Sequence, residues 1–540
     1  MSHIINNNWS AKVARLAAAA LAALCSLTYI APAQAAAPGI TGTSFNFSAE
    51  ANRITQPDGM SVYSWGYGCS TAPSGFAPAA IPGANCPTMQ VPGPTLIVHQ
   101  GDTVTVTLTN NLPAAAGNTS ILFPGFQVCA AVLNPDGSCP AALTGVPGVL
   151  TREAAHGASV TYSFIASNAG THSYYSGTQG DLQIEMGLYG AIIVLPTAVP
   201  AGCRAVAATL PDGQPDFRNA AAAYNHSATC YDREYLFQFS EMDPRIHTQA
   251  EAQAGVACTQ PNGCMAIDTE PYHPAYFMIN GRSMPDDMDS NYAMQYPHQP
   301  YNGNPHMHPG ELVLLRVIGT GRWQHPFHEH GNHVRILARD GNLILSQTDA
   351  SKPAGPLLFT TSTTPGVAFD GIFYWTGRGL NWDVYGHTAG ALYTDPAFPA
   401  YLGKPVVCIP DANGYYTADP LAPNYYEWCQ DHNKPLEAHP FGAVGSGGPV
   451  TLPDANILTN GTWYGGSPYL GPDATVRAVG PTGTTPPSRR VVNPPTTEAG
   501  FAFMWHSHNE REITTNNVFP GGMMMMMLVD PQAYLINEAN

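Results

Sequence analysis

The densest concentration of metal-ligating side chains runs His325-Pro-Phe-His328-Glu-His330-Gly-Asn-His333, and His506-Ser507-His508 repeats the H-x-H pattern near the far end of the chain. Alternate residues of a β-strand point to the same side. His328 with His330, and His506 with His508, can therefore each present two imidazoles toward one metal, a four-nitrogen site if the pairs meet. Imidazole suits copper, zinc, iron and nickel, so nitrogen alone does not choose among them. The bland alternative is a set of ordinary loop and rim histidines; two H-x-H pairs with strand signals around them argue against it. Glu329, Glu510 and Glu512 lie close in sequence and offer an oxygen ligand, a proton acceptor or a hydrogen bond to imidazole, although such carboxylates are more often simply solvated.

Strands are the elements that must position these groups. Thr95 to Thr109 reads TLIVHQGDTVTVTLT, alternating β-formers broken by one Gly-Asp turn, which predicts an antiparallel hairpin. Further strand signals lie at Ser159 to Ile165, Gly190 to Leu195, Glu234 to Ser240, Ala275 to Ile279, Glu311 to Ile318, His333 to Ala338, Phe501 to Trp505 and Met523 to Val529. They predict an all-β fold of two sandwiches, one over 36–200 and one over 225–540, joined by a Pro/Gly/Ala-rich linker at 201–224. The stretch 387–498 turns to Pro, Gly, Asn and Tyr with little periodicity and reads as a long insertion in the second sandwich. A structureless loop of that length is unusual, so Cys408 and Cys429 are expected to staple it.

Composition agrees. Charged residues make up 11% of the 540, while Gly 53 and Pro 50 are abundant, which disfavours long charged helices and coiled coils. A hydrophobic content of 44% argues against global disorder. A net charge of -17 excludes adhesion to nucleic acid, which needs clustered Lys and Arg.

Residues 1–35 read as a signal peptide: Lys12 and Arg15, an apolar run from Leu16 to Ile30, then Ala33-Gln-Ala35 as a cleavage site. The run is short for a membrane span, and no second candidate follows. Leu24 before Cys25 disfavours lipoprotein processing. The mature chain is expected in the periplasm or secreted, with no transmembrane anchor. Ten cysteines then remain, an even number that favours disulfides in an exported chain. Connectivity stays open, although sequential pairing would close five short loops; thiolate metal sites are disfavoured because no C-x-x-C occurs.

At this point the residues carry a resemblance. Pro92-Gly-Pro-Thr-Leu, Gly101-Asp-Thr-Val, Asn111-Leu-Pro, Phe277-Met-Ile-Asn-Gly-Arg, the His325 cluster and His506-Ser-His followed by Pro520-Gly-Gly-Met resemble the ordered landmarks of the multicopper oxidase family. The resemblance implies tandem cupredoxin-like Greek-key sandwiches and copper as cofactor. It also implies a type 1 (blue) copper fed by a Cys between the last paired histidines, and a trinuclear cluster of eight histidines. The departures are sharp. Ser507 stands in place of the Cys, and a hydroxyl replaces a soft thiolate poorly. Glu512 stands where a further type 1 histidine falls, leaving only His325 of that set. In the first sandwich, Leu122-Phe-Pro-Gly and Tyr175-Ser-Gly occupy the places of the other two H-x-H pairs, and His172 is three residues out of step. Four cluster ligands survive: His328, His330, His506 and His508.

Two function classes follow. One is an exported copper-dependent oxidoreductase whose reduced site of one or two ions is held by His328, His330, His506 and His508, with His325 nearby. Its substrate would be a small molecule or a metal ion, and its chemistry would differ from that of a laccase. The other is a non-catalytic cupredoxin scaffold or copper-binding assembly protein. The resemblance also leaves a homo-oligomer open, since two-domain relatives often form trimers, while the sequence itself does not give the oligomeric state. Met523 to Met527 could be taken for a soft Cu(I) site but is expected to be core, and His298, His306 and His308 are expected to be exposed loop residues.

Overall fold

The computed structural model describes residues 37–530 and 536, apart from 79, 80, 82, 209–215, 379–391, 395–398, 417–421, 423, 425, 426, 431–465 and 469–499. The signal-peptide reading of 1–35 and most of the insertion at 387–498 thus lie outside the described residues.

The first sandwich pairs two sheets. One runs Ser61–Cys69, Ser44–Thr55, Thr103–Asn110, Ser159–Ile165; the other runs Gly170–Tyr175, Tyr189–Leu195, Leu96–His99, Gly39–Thr41, Gly75–Ala77. Thr103–Asn110 shows why such a sequence folds as a strand. Val104, Val106 and Leu108 turn inward, while Thr105, Thr107 and Thr109 face out and exchange hydroxyl hydrogen bonds with Ser163, Thr161 and Ser159 of the next strand. The core between the sheets is aromatic, with Phe47, Tyr67, Phe123, Tyr162 and Tyr174 packed together.

The hairpin predicted over Thr95 to Thr109 does not form. Leu96–His99 pairs in parallel with Gly39–Thr41 and Tyr189–Leu195, whereas Thr103–Asn110 belongs to the opposite sheet, so the Gly101 turn is a crossing between layers. The reason is burial on both faces. Leu96 and Val98 enter the sandwich core, and Ile97 packs the other way against Ile193, Leu236 and Ile318 of the contact with the second sandwich.

The second sandwich sets a seven-stranded sheet against a six-stranded one. The seven-stranded sheet runs Tyr276–Ile279, Arg233–Met242, Leu312–Gly319, Ala368–Tyr374, Val334–Arg339, Asn342–Leu343, with Leu357–Leu358 also paired to Val334–Arg339. The six-stranded sheet runs His306–Met307, Met524–Val529, Phe501–Ser507, His325–Glu329, Thr360–Thr363, with Gly466–Pro468 alongside Phe501–Ser507. Its inner face supplies Phe327, Phe501, Phe503, Trp505, Met523, Met525 and Met527 to a core completed by Phe237, Phe239, Val317 and Phe373. Among the described residues the longest helix, Pro244–Gln253, starts where Asp243 accepts a hydrogen bond from the Arg245 amide and Pro244 pre-sets the first turn. No described helix is long and apolar enough to cross a membrane.

All ten cysteines of the described chain pair in sequence order: Cys69–Cys86, Cys129–Cys139, Cys203–Cys230, Cys258–Cys264 and Cys408–Cys429. The last of these staples part of the insertion, as expected from its composition.

Candidate metal centre

Two neighbouring strands of the six-stranded sheet bring the H-x-H motifs together. His325–Glu329 and Phe501–Ser507 run antiparallel with His328 directly opposite His506, and the ladder continues where the His508 amide donates to the Pro326 carbonyl. Both histidines therefore project from the same face. Ligand nitrogens of His328, His330 and His506 all lie within 4.8 Å of one another, and all three residues are buried. The rings meet edge to face, with centroids 4.8 Å apart for His328 and His330 and 5.1 Å for His330 and His506. His508 approaches His328 to 4.8 Å between centroids, but its side chain is 51% exposed, so it stands at the open side of the group.

Hydrogen bonds orient the rings. His506 Nδ1 lies 2.7 Å from the Ser507 carbonyl, an acceptor only, so this nitrogen carries the proton and Nε2 presents its lone pair toward His330 Nε2, 3.3 Å away. His328 Nδ1 meets the Thr360 hydroxyl at 2.6 Å across the next strand pair. Burial, reinforced by the neighbouring histidines, pulls His328 down to about 4, and burial likewise lowers His506. Clustered neutral imidazoles are the donor set that a borderline metal such as copper takes, so these residues fit the ion that the family resemblance implies.

His325 is not brought into this group. It is an odd step from His328 and faces the inside of the sandwich, where Nε2 meets Glu241 Oε2 and Nδ1 meets Glu512 Oε2, each at 2.9 Å. Carboxylates only accept, so both ring nitrogens donate. Burial alone would lower this histidine, but hydrogen bonds to and the charge of Glu241 and Glu512 outweigh it and push it up to about 9. Ser507 Oγ donates to the same Glu512 oxygen, and Asn509 Nδ2 donates to the other at 2.8 Å. An imidazolium clamped between two carboxylates, beside a hydroxyl, does not fit a blue copper ion, which needs a thiolate and deprotonated imidazole nitrogens.

The carboxylates considered from sequence also lie apart from the group. Glu329 turns to the inner face, where Thr361 Oγ1 donates to it at 3.0 Å and burial raises it well above the usual carboxylate range. Glu510 is exposed near His508, and Glu512 is committed to the network with His325. Among the described residues, no Asp, Glu or Cys joins the three buried histidines.

In the first sandwich, Leu122 and Tyr175 pair through both backbone hydrogen bonds, the same cross-strand relation as His328 and His506 but without ligands. His172 sits against the Phe126 ring and points Nε2 at the Asn168 carbonyl, with burial lowering its pKa. The patch at His298, His306 and His308 is not the exposed loop expected of it. His306 is buried against Asp530 at 2.8 Å, the Glu311 carboxylate accepts from the His308 amide and faces its ring Nδ1, and His298 contacts the Met89 carbonyl, because His306–Met307 forms a short strand beside Leu528 and Val529. Sequence reasoning missed Thr360, whose partnership depends on a strand that carries no site motif of its own, and Phe359. Phe359 is 53% exposed and stands edge-on 5.7 Å from His328 at the mouth of the group.

Residues 87–198 match the family described as multicopper oxidase. Among curated proteins, the chain is 33% identical over 107 residues to multicopper oxidase GIP1 of Gibberella zeae and 35% identical over 104 residues to multicopper oxidase CTB12 of Cercospora beticola. Each match takes in 19% of this chain and 14% of the relative's length. Among solved structures, a blue copper oxidase from Nitrosomonas europaea aligns over 90% of this chain and 85% of its own, at 16% identity and a TM-score of 0.42. The multicopper oxidase mgLAC aligns over 92% and 88%, at 15% identity and a TM-score of 0.43.

Proposed function

We propose that this chain, whose residues 87–198 match the multicopper oxidase family, binds copper through His328, His330 and His506, with His508 on the open side, as an exported oxidoreductase with a reduced site of one or two ions. The observation that carries this reading is the convergence of three buried imidazole donors within 4.8 Å across two paired strands. Copper would supply one-electron cycling between Cu(II) and Cu(I). The chain's own residues would do the rest. The Ser507 carbonyl and the Thr360 hydroxyl hold the rings of His506 and His328, and the exposed side chains of His508 and Phe359 frame the approach for a small-molecule or metal-ion substrate. The same proposal assigns the two sandwiches to domains at 36–200 and 225–540, a periplasmic or secreted location, and a homo-oligomeric state.

A second reading, a cupredoxin scaffold without a working centre, draws support from the network that fills the blue-copper position and from the ligand-free Leu122–Tyr175 pair. Metal analysis and electron paramagnetic resonance of the purified protein separate the two. The proposal expects about one or two coppers per chain, lost in the His328→Ala, His506→Ala double variant. No bound copper after loading would refute it in favour of the scaffold.

A further inference from the structure

On one face of the six-stranded sheet, Met524, His506, His328 and Thr360 stand directly opposite one another on four adjacent strands. Opposed residues of an antiparallel pair hold their Cβ atoms roughly 4.5–5.5 Å apart on the same side of the sheet. Met504, two residues before His506 and so on the same face, stands opposite Met526. The run of five methionines is therefore divided by the pleat. Met523, Met525 and Met527 enter the core with Phe503 and Trp505, Met524 stands opposite His506 on the histidine face, and Met526 packs partly buried against the core with its amide donating to Met288 Sδ. Met524 is buried beside a buried His506, 3% and 5% exposed.

We propose that Met524 supplies a thioether donor to an ion held by His328, His330 and His506, which makes this a centre that holds Cu(I), with Met504 on the same face beside it. The inference rests on the copper-site reading above and adds the oxidation state and the fourth donor. A thioether is a soft ligand that favours Cu(I) over Cu(II), whereas imidazoles alone do not discriminate. Three rotatable bonds let a methionine side chain cover the separation between opposed strand positions. Packing on this face would be served as well by leucine, so a Met524→Leu exchange separates ligation from packing.

The test compares wild type, Met524→Leu and Met525→Leu, the last being the same exchange one residue along on the core face. Cu(I) affinity is measured anaerobically by competition with bicinchoninate, Cu(II) affinity by a parallel chelator titration, and the Cu(I) coordination by X-ray absorption. Thermal unfolding confirms that each variant is folded. Met524→Leu is expected to weaken Cu(I) binding by at least about tenfold, since losing even a residue that only supports a ligand commonly costs that much. It should leave Cu(II) binding within about twofold, the softness of sulfur mattering for the reduced ion alone. A sulfur scatterer present in wild type should vanish in this variant and persist in Met525→Leu. If wild type binds copper but shows no sulfur scatterer, or if the two leucine variants weaken Cu(I) equally, the thioether inference is overturned and the histidine site stands. If wild type takes up neither Cu(I) nor Cu(II), the copper-site reading falls and this inference with it.

Discussion

The Glu241–His325–Glu512 network makes a pH-dependent stability that can be worked from the structure. His325 is fully buried with both ring nitrogens on carboxylates and is pushed up to about 9 from an ordinary 6.5. At 1.36 kcal/mol per pKa unit, the shift corresponds to about 3 kcal/mol of folding free energy. The sign follows from a raised folded-state pKa. Below pH 6.5, folded and unfolded chains both carry the proton and the full contribution is present. Between 6.5 and about 9 the unfolded chain has lost its proton while the folded one keeps it, so the contribution falls with pH and is gone once His325 deprotonates in the fold. His325→Gln keeps one donor and removes the titration. Guanidinium unfolding followed by tryptophan fluorescence at pH 6, 7.5 and 9.5 should show wild type well above the variant at pH 6 and the gap shrinking by about 3 kcal/mol by pH 9.5. Glu241→Gln, which removes one of the two charges, should shift the decline to lower pH. A gap between wild type and His325→Gln that stays constant from pH 6 to 9.5 would mean that His325 is not held as an imidazolium and that its ring nitrogens are free of the proton that keeps a blue copper ion out of this position.

Other outcomes follow from the same geometry. Thr360→Ala, which removes the hydroxyl on His328 Nδ1, should weaken copper binding by about 10-fold or more in a chelator competition while leaving the fold unchanged. Ser507→Cys should bind copper without intense blue absorbance, because His325 and Glu512 remain locked together; a strong blue band would contradict this account. Replacing Cys203 and Cys230 by Ser opens a loop of sequence separation 27, expected to cost about 3–4 kcal/mol by loop-closure entropy, measured as a lower denaturant midpoint.

Fold class was legible because alternation survives in strands with one wet face. Thr103–Asn110 and Ser159–Ile165 have their threonines and serines on one face and their valines and aromatics on the core face, and strands such as Leu312–Gly319 and Met524–Val529 stand out as apolar runs. Pairing was less legible. The Leu96–His99 strand is apolar on both sides since it is covered twice, by its own core and by the neighbouring sandwich. A short turn at Gly101 reads the same whether the chain doubles back within a sheet or crosses to the other one. Only the long-range parallel partners decide, and those lie many residues away.

The candidate site shows the same division between parity, which is local, and register, which is not. Parity within each H-x-H motif places His328 with His330 and His506 with His508, and the structure puts each pair on one face. Parity also sets His325, three residues before His328, on the opposite face, as it does His172 relative to Tyr175; the family resemblance had grouped His325 with the ligands, while the pleat sends it to Glu241 and Glu512. What parity does not reach is the relation between strands. Five consecutive methionines carry no internal sign of which one stands beside the histidines, and nothing near Thr360 marks it as a partner of His328. Those facts appear only once Trp505 is set against Met525 and His506 against Met524, because a slip of one residue would exchange every side chain between the core and the histidine face. The register of the Phe501–Ser507 and Met524–Val529 pair is thus the structural fact on which the chemistry of the site depends most.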